Sequence, residues 1–145
     1  MAARLELRFE GIGEDPPIRD EYDLLLRIEA RLVAEASGVV ILDEPHFPIV
    51  ELASQLSKWL ASGAATDFNY ESMDAEDVIL WFRSSPGGWS VGSDWDIATV
   101  QRGFARADLI DAASRFVQAV PLRVRQELRR DVSKLVNPLS GDTSA

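Results

Sequence analysis

The chain is 145 residues long, 46% hydrophobic, free of cysteine, and carries a formal net charge of −9. That length suits one hydrophobic core, and the lack of cysteine excludes disulfides, thiolate metal sites and a cysteine nucleophile. The charge repels phosphate backbones and anionic lipid, which argues against nucleic acid and membrane surfaces and favours a basic protein partner.

In chain order, the first segment, MAARLELRFEG, has no continuous apolar run of the kind a secretion signal needs, and no later run approaches a membrane span. A soluble, cytoplasmic protein is expected. Leu5, Leu7 and Phe9 share one parity and Arg4, Glu6, Arg8 and Glu10 the other, which predicts a strand with one wet face. Residues 11–21, with Pro16-Pro17 and several acids, read as an exposed irregular loop.

Residues 22–35 fit a long strand: Leu24, Leu26, Ile28, Ala30 and Leu32 alternate with Arg27, Glu29 and Arg31, whereas a helix would place Glu29 in its apolar arc. Ser37-Gly38 permits a reversal into Val39–Leu42, an apolar run expected to be buried on both faces. From Pro45 the period changes. Ile49, Leu52, Ala53, Leu56, Trp59 and Leu60 recur at helical spacing, with Glu51, Ser54, Gln55 and Lys58 opposite, Pro48 in the first turn and Gly63 past the end.

Thr66–Met73 reads as a half-wet strand, and Met73–Asp77 as an acidic turn. Val78–Phe82, Ser84-Ser85-Pro86-Gly87-Gly88 and the β-prone run from Trp89 make a hairpin. A five-residue loop sets Trp81 opposite Val91, and a four-residue loop sets Phe82 there, so one residue of slip exchanges the faces. Ile97–Phe104 forms a last strand.

Beyond Arg106 the pattern is helical to Val136. Leu109, Ala112, Ala113, Phe116 and Val120 make one stripe; Pro121 breaks or kinks the helix; Val124, Leu128, Val132 and Leu135 make a second, with Arg123, Arg125, Arg129, Arg130 and Lys134 on its polar face. The expected fold is α+β: an antiparallel meander sheet of about five to seven strands covered by a helix near residues 47–62 and by helices near 106–120 and 121–136. Residues 1–137 form one domain, and 138–145 a flexible tail.

Candidate chemistry is sparse. His46, the sole histidine, sits in Asp43-Glu44-Pro45-His46 between a strand end and a helix start. Two carboxylates and an imidazole suit a divalent cation, yet the spacing matches no established ligand pattern, and an exposed loop histidine is the plainer reading. The clusters Glu14-Asp15, Asp20-Glu21-Asp23, Asp74-Glu76-Asp77 and Asp94-Asp96 fall at strand ends, fit no calcium loop, and read as a solvated or partner-binding rim. Gly87-Gly88 and Gly92 form no phosphate loop, and Ser84, Ser85, Ser90 and Ser93 stand in no G-x-S-x-G frame. Of the four tryptophans, Trp89 and Trp95 lie beside turn residues. Partly exposed there, they would seed a binding hot spot next to the acids. No catalytic residue, cofactor site or metal site is assigned.

The strand order, the stretch ILDEPHFPIVELASQLSKWL, the strand DVILWF followed by a turn and WSV, and the closing helix DLIDAASRFVQAV together resemble small bacterial single-domain proteins of the immunity-protein type, which accompany secreted toxins. The resemblance implies a non-enzymatic inhibitor whose carboxylates meet the basic surface of a cognate toxin. Asp43, Glu44, His46, Asp74, Glu76, Asp77, Trp89, Asp94, Trp95 and Asp96 are the residues expected at that surface. Two alternatives stand beside it: a small-ligand or enzymatic domain with a site around Asp43, Glu44 and His46, and a homo-oligomer pairing through the apolar stripe of residues 109–135.

Overall fold

Leu5, Leu7 and Phe9 do form one face of a strand, β1 (Leu5–Glu14), which pairs antiparallel with β2 (Ile28–Ala36), itself paired antiparallel with β3 (Val39–Pro48). The computed structural model describes residues 4–72 and 79–137. Leu5 lies opposite Ala36, Leu7 opposite Ala34 and Phe9 opposite Leu32, so the inward parity meets small and branched residues across the ladder. Ser37 and Gly38, both with positive φ (51° and 80°), close the β2–β3 hairpin as a tight primed turn.

Four expectations for this half are corrected. Residues 21–27 are helical: α1 (Glu21–Arg27) begins where the Asp20 side chain accepts the Asp23 N–H at 2.9 Å, while Asp23 accepts the Arg19 N–H at 3.0 Å and Arg27 Nε at 3.1 Å. These reciprocal side-chain bonds supply what a helix start lacks and override the strand-like alternation, which governs only from Ile28 onward. β1 also outruns its expected end, crossing a register shift between Glu10 and Gly13. β3 runs through to Pro48, so Asp43, Glu44 and His46 lie within a strand, not in a turn; and Val39 and Val40, on this edge strand, are 37% and 44% exposed rather than buried.

The second sheet holds β4 (Phe68–Tyr70), β5 (Leu80–Ser85), β6 (Gly88–Ser93) and β7 (Asp96–Phe104) in that order, all antiparallel. Phe82 faces Val91, the register of the longer ladder, which extends to Ser85 opposite Gly88 and leaves Pro86-Gly87 as the connection. The expected single meander is therefore two sheets of three and four strands. β3 and β7 meet through a side chain, Thr99 Oγ1 donating to the Ile41 carbonyl at 3.2 Å, and among the described residues no ladder joins the two sheets.

Helix α2 (Ile49–Ala61) is the shared core of both sheets. Its Trp59 packs at 5.4 Å from Phe82, 6.0 Å from Phe68 and 6.2 Å from Trp89. The helix is more enclosed than a simple amphipathic roof: Glu51 and Ser54, expected on a wet side, are buried. Both flanks of its first turns are occupied, by the sheets and by α3 (Arg106–Leu128).

α3 runs unbroken through Pro121, against the expected division into two helices. Pro121 cannot donate to the carbonyl one turn back, but Phe116, Val120 and Val124 bury along one face across the gap, and that burial carries the helix over it. α3 ends at Arg129, in the left-handed region at φ 58°, and a single turn, α4 (Ser133–Val136), follows with Val132 and Val136 buried. Phe116 meets Phe9 edge-on at 5.4 Å, and Arg123 donates to the Phe9 carbonyl at 2.8 Å, docking α3 against β1.

Candidate functional site: the outer sheet face and the β6–β7 turn

The polar parity of the first sheet forms a charged outer surface. Arg8 lies beside Val33, and Val33 beside Asp43; Glu10 lies beside Arg31. Arg31 grips Asp43 with two bonds, Nε to Oδ1 at 2.9 Å and Nη2 to Oδ2 at 2.7 Å, and reaches Glu10 at 3.2 Å. The guanidinium holds the Asp43 carboxyl below the usual carboxylate range, and the Arg31 pKa is raised in return, chiefly by its bonds to Asp43. Arg8 pairs with Glu35 at 2.7 Å. Between this surface and α3 lies an open groove of about 550 Å³, whose lining includes Val33, Val40, Asp43, Arg31, Ala119 and Arg123. The groove therefore combines apolar walls with carboxylates already paired with arginine.

Asp43, Glu44 and His46 do not converge. Two β3 residues, Pro45 and His46, stand between the pairs Ala30–Phe47 and Leu32–Glu44, where β2 has only Arg31; this bulge turns His46 outward, its side chain 77% exposed and Nδ1 4.0 Å from Glu29. Among the described residues, no group of three His, Asp or Glu side chains is placed to share a metal ion.

The β6–β7 turn is built differently. Ser93 is fully buried and its Oγ accepts the Trp95 N–H at 3.2 Å; Asp96 Oδ1 accepts the Ala98 N–H at 3.1 Å; Asp94 Oδ1 accepts Trp81 Nε1–H at 3.1 Å. These bonds fix the loop and turn Trp95 outward, 49% exposed, followed by Ile97 at 81%. Trp95 is exposed as expected; Trp89 is not. It is buried against Trp59, because the observed register sends it to the α2 side of the sheet. Asp74, Glu76 and Asp77 lie outside the described residues.

Sequence reasoning missed Ile97, Val39 and Val40 as surface residues. Val39 and Val40 stand at the hairpin end of edge strand β3, ahead of the buried Ile41 and Leu42, and Ile97 stands at the start of edge strand β7; alternation marks parity but not where along a strand its cover begins. The pairing of Glu10 and Arg31 was half visible: both were assigned to wet faces, but their meeting depended on register.

Fold and surface together define an α+β domain with two antiparallel sheets wrapped on a helical core and an outward-facing aromatic turn flanked by carboxylates. The chain belongs to the family described as Domain of unknown function (DUF7878), whose pattern matches residues 5–128. No curated protein and no solved structure matches it. Among the described residues, no helix is long and apolar enough to cross a membrane.

Proposed function

We propose that this protein is a non-enzymatic binding module of the immunity or inhibitor type, which engages a basic protein partner through the β6–β7 turn. The observation that carries the reading is Trp95, half-exposed between Asp94 and Asp96 and followed by the outward Ile97. An outward aromatic on a hydrogen-bonded turn, with neighbouring carboxylates, combines apolar surface with charge complementarity, the features of an interface hot spot. Val39 and Val40, exposed on β3, which touches β7 through the Thr99–Ile41 bond, add further apolar surface. The net charge of −9 adds long-range attraction for a cationic partner. Such a protector would act in the cytoplasm of the cell that makes the toxin.

The test places a photo-crosslinking amino acid at position 95, with position 58 on α2 as control, in the native host. A basic protein captured from 95 and not from 58, whose association rate with the purified chain falls as salt rises, supports the proposal. Capture that is equal at the two positions, or binding unchanged by Trp95→Ala with Ile97→Ala, overturns it.

The groove beside Asp43 favours a second reading, a small-ligand domain, since its walls are concave and partly apolar. The oligomer reading loses its main support: Leu109, Ala112, Ala113, Phe116, Val120, Val124 and Val132 are all spent on the chain's own core.

A further inference from the structure

Trp81 lies on the side of the four-stranded sheet turned away from α2, since its neighbour Phe82 is the residue that meets Trp59. It is nonetheless only 7% exposed. The indole lies over Gly92, where a Cβ would come within 2.7 Å of its Cζ2 and 2.8 Å of Val100 Cγ2. The Arg83 guanidinium stands 4.1 Å above the ring, and Asp94 holds the indole N–H. The result is a rigid floor of Trp81 and Val100 on an open sheet face.

Beside that floor, Arg83 pairs across the ladder with Ser90. Arg102 approaches from β7, within the register shift between the pairs Trp89–Phe104 and Val91–Gln101. With Trp81, Ser84 and Val100, these three residues line an open depression of about 330 Å³. The hydroxyls of Ser84 and Ser85 are committed, to Asp67 at 3.2 Å and to the Gly88 carbonyl at 3.0 Å. Arg83 Nη2 forms a partly exposed ion pair with Asp94 Oδ1 at 3.7 Å, the same oxygen that accepts the indole N–H. Among the described residues, neither the Ser90 hydroxyl nor the Arg102 guanidinium has a hydrogen-bond or ion-pair partner.

We propose that this depression binds a single oxoanion, the phosphate or carboxylate of a small molecule, between the Arg83 and Arg102 guanidiniums with the Ser90 hydroxyl as third donor. Guanidinium forks match the paired oxygens of either group, and charge-assisted bonds of this kind are the stronger ones. Trp81 and Val100 offer an apolar bed for the body of the ligand. The acidity of the whole chain disfavours a polyanion and leaves a small, singly anchored group as the ligand class. The depression borders the β6–β7 turn through Asp94 but does not include Trp95.

Titration of the full chain with inorganic phosphate, and separately with acetate, tests it by ¹H–¹⁵N NMR with chloride holding ionic strength constant. The expected result is saturable shifts at the Ser90 amide and the Nε–H groups of Arg83 and Arg102, with affinity reduced about tenfold in Arg102→Gln or Ser90→Ala and unchanged in Trp95→Ala. Saturation by one probe and not the other assigns the tetrahedral or the planar group. Shifts that fail to saturate, that chloride reproduces, or that persist with equal affinity in both variants reduce the contact to non-specific screening and overturn the proposal. Both substituted side chains stand on the open face, so native-like spectra of the variants accompany either outcome.

Discussion

The Tyr70 hydroxyl donates a 2.5 Å hydrogen bond to Glu51 Oε1 inside the core, where Glu51 is 3% and Tyr70 0% exposed. The bond ties the first turn of α2 to β4, and so links the helical core to the four-stranded sheet. A buried carboxylate is tolerated only with such donors. Tyr70→Phe, which removes the donor and little volume, is expected to cost about 1–3 kcal/mol in urea denaturation, and Glu51→Ala at least as much. The double variant should lose less than the sum, because the two changes break one shared interaction. Strict additivity would show that the pair is not coupled.

Gly92 is required by what crosses it. Adding a methyl group places a Cβ at 2.7 Å from Trp81 and 2.8 Å from Val100, so Gly92→Ala must push the indole or bend β6. Overpacking of this kind costs about 1–3 kcal/mol. The expected result is a lower thermal midpoint together with altered near-UV circular dichroism from the displaced Trp81; a midpoint equal to that of the parent chain would contradict it.

Acid should weaken the fold through a small set of carboxylates. Asp23 is held below its ordinary value of 3.8 first by the Arg19 backbone N–H and then by Arg27, Asp43 by the Arg31 guanidinium, and Asp131 by the Ser133 hydroxyl and backbone N–H. A carboxyl whose pKa is lower in the folded chain stabilises it fully above the unfolded value, and that stabilisation is lost as pH falls through the folded value. The urea midpoint is therefore expected to hold steady between about pH 7 and 5 and to fall below about pH 4. Asp23→Asn should flatten that fall, and Asp20→Ala, which removes the α1 cap, should cost about 1 kcal/mol at neutral pH.

The four tryptophans divide three to one: Trp59, Trp81 and Trp89 are 5%, 7% and 8% exposed, and Trp95 is 49% exposed. Acrylamide quenching should resolve one accessible fluorophore, abolished by Trp95→Phe. Trp95→Ala should shift stability by no more than about 0.5 kcal/mol, against about 3–5 kcal/mol for Trp59→Ala. A quenchable population that survives Trp95→Phe would place another indole at the surface.

Where burial follows simple periodicity, the chain could be read directly. β1 starts at Leu5, α2 covers Ile49–Ala61, and the hairpin turns at Pro86-Gly87, because period-two and helical spacings and turn residues act over a few neighbours. Reading failed where a local pattern met a stronger contact. The alternation of Leu24 and Leu26 yielded to the Asp20 and Asp23 capping bonds, and the break expected at Pro121 yielded to burial on either side of it. Of the expected surface residues, Trp95 stands outward while Trp89 is buried, a difference set by a one-residue choice of register.

The amino-acid order alone determined the α+β class, the inward parity of β1 and the excess of negative charge, since these follow from composition and from spacings of a few residues. Tertiary structure alone decided that the strands divide into two sheets, that Arg31 pairs with both Asp43 and Glu10, and that Arg83, Ser90 and Arg102 share one open face. Those relationships join residues on different strands, and their geometry depends on ladder register and on bulges that no short-range pattern encodes.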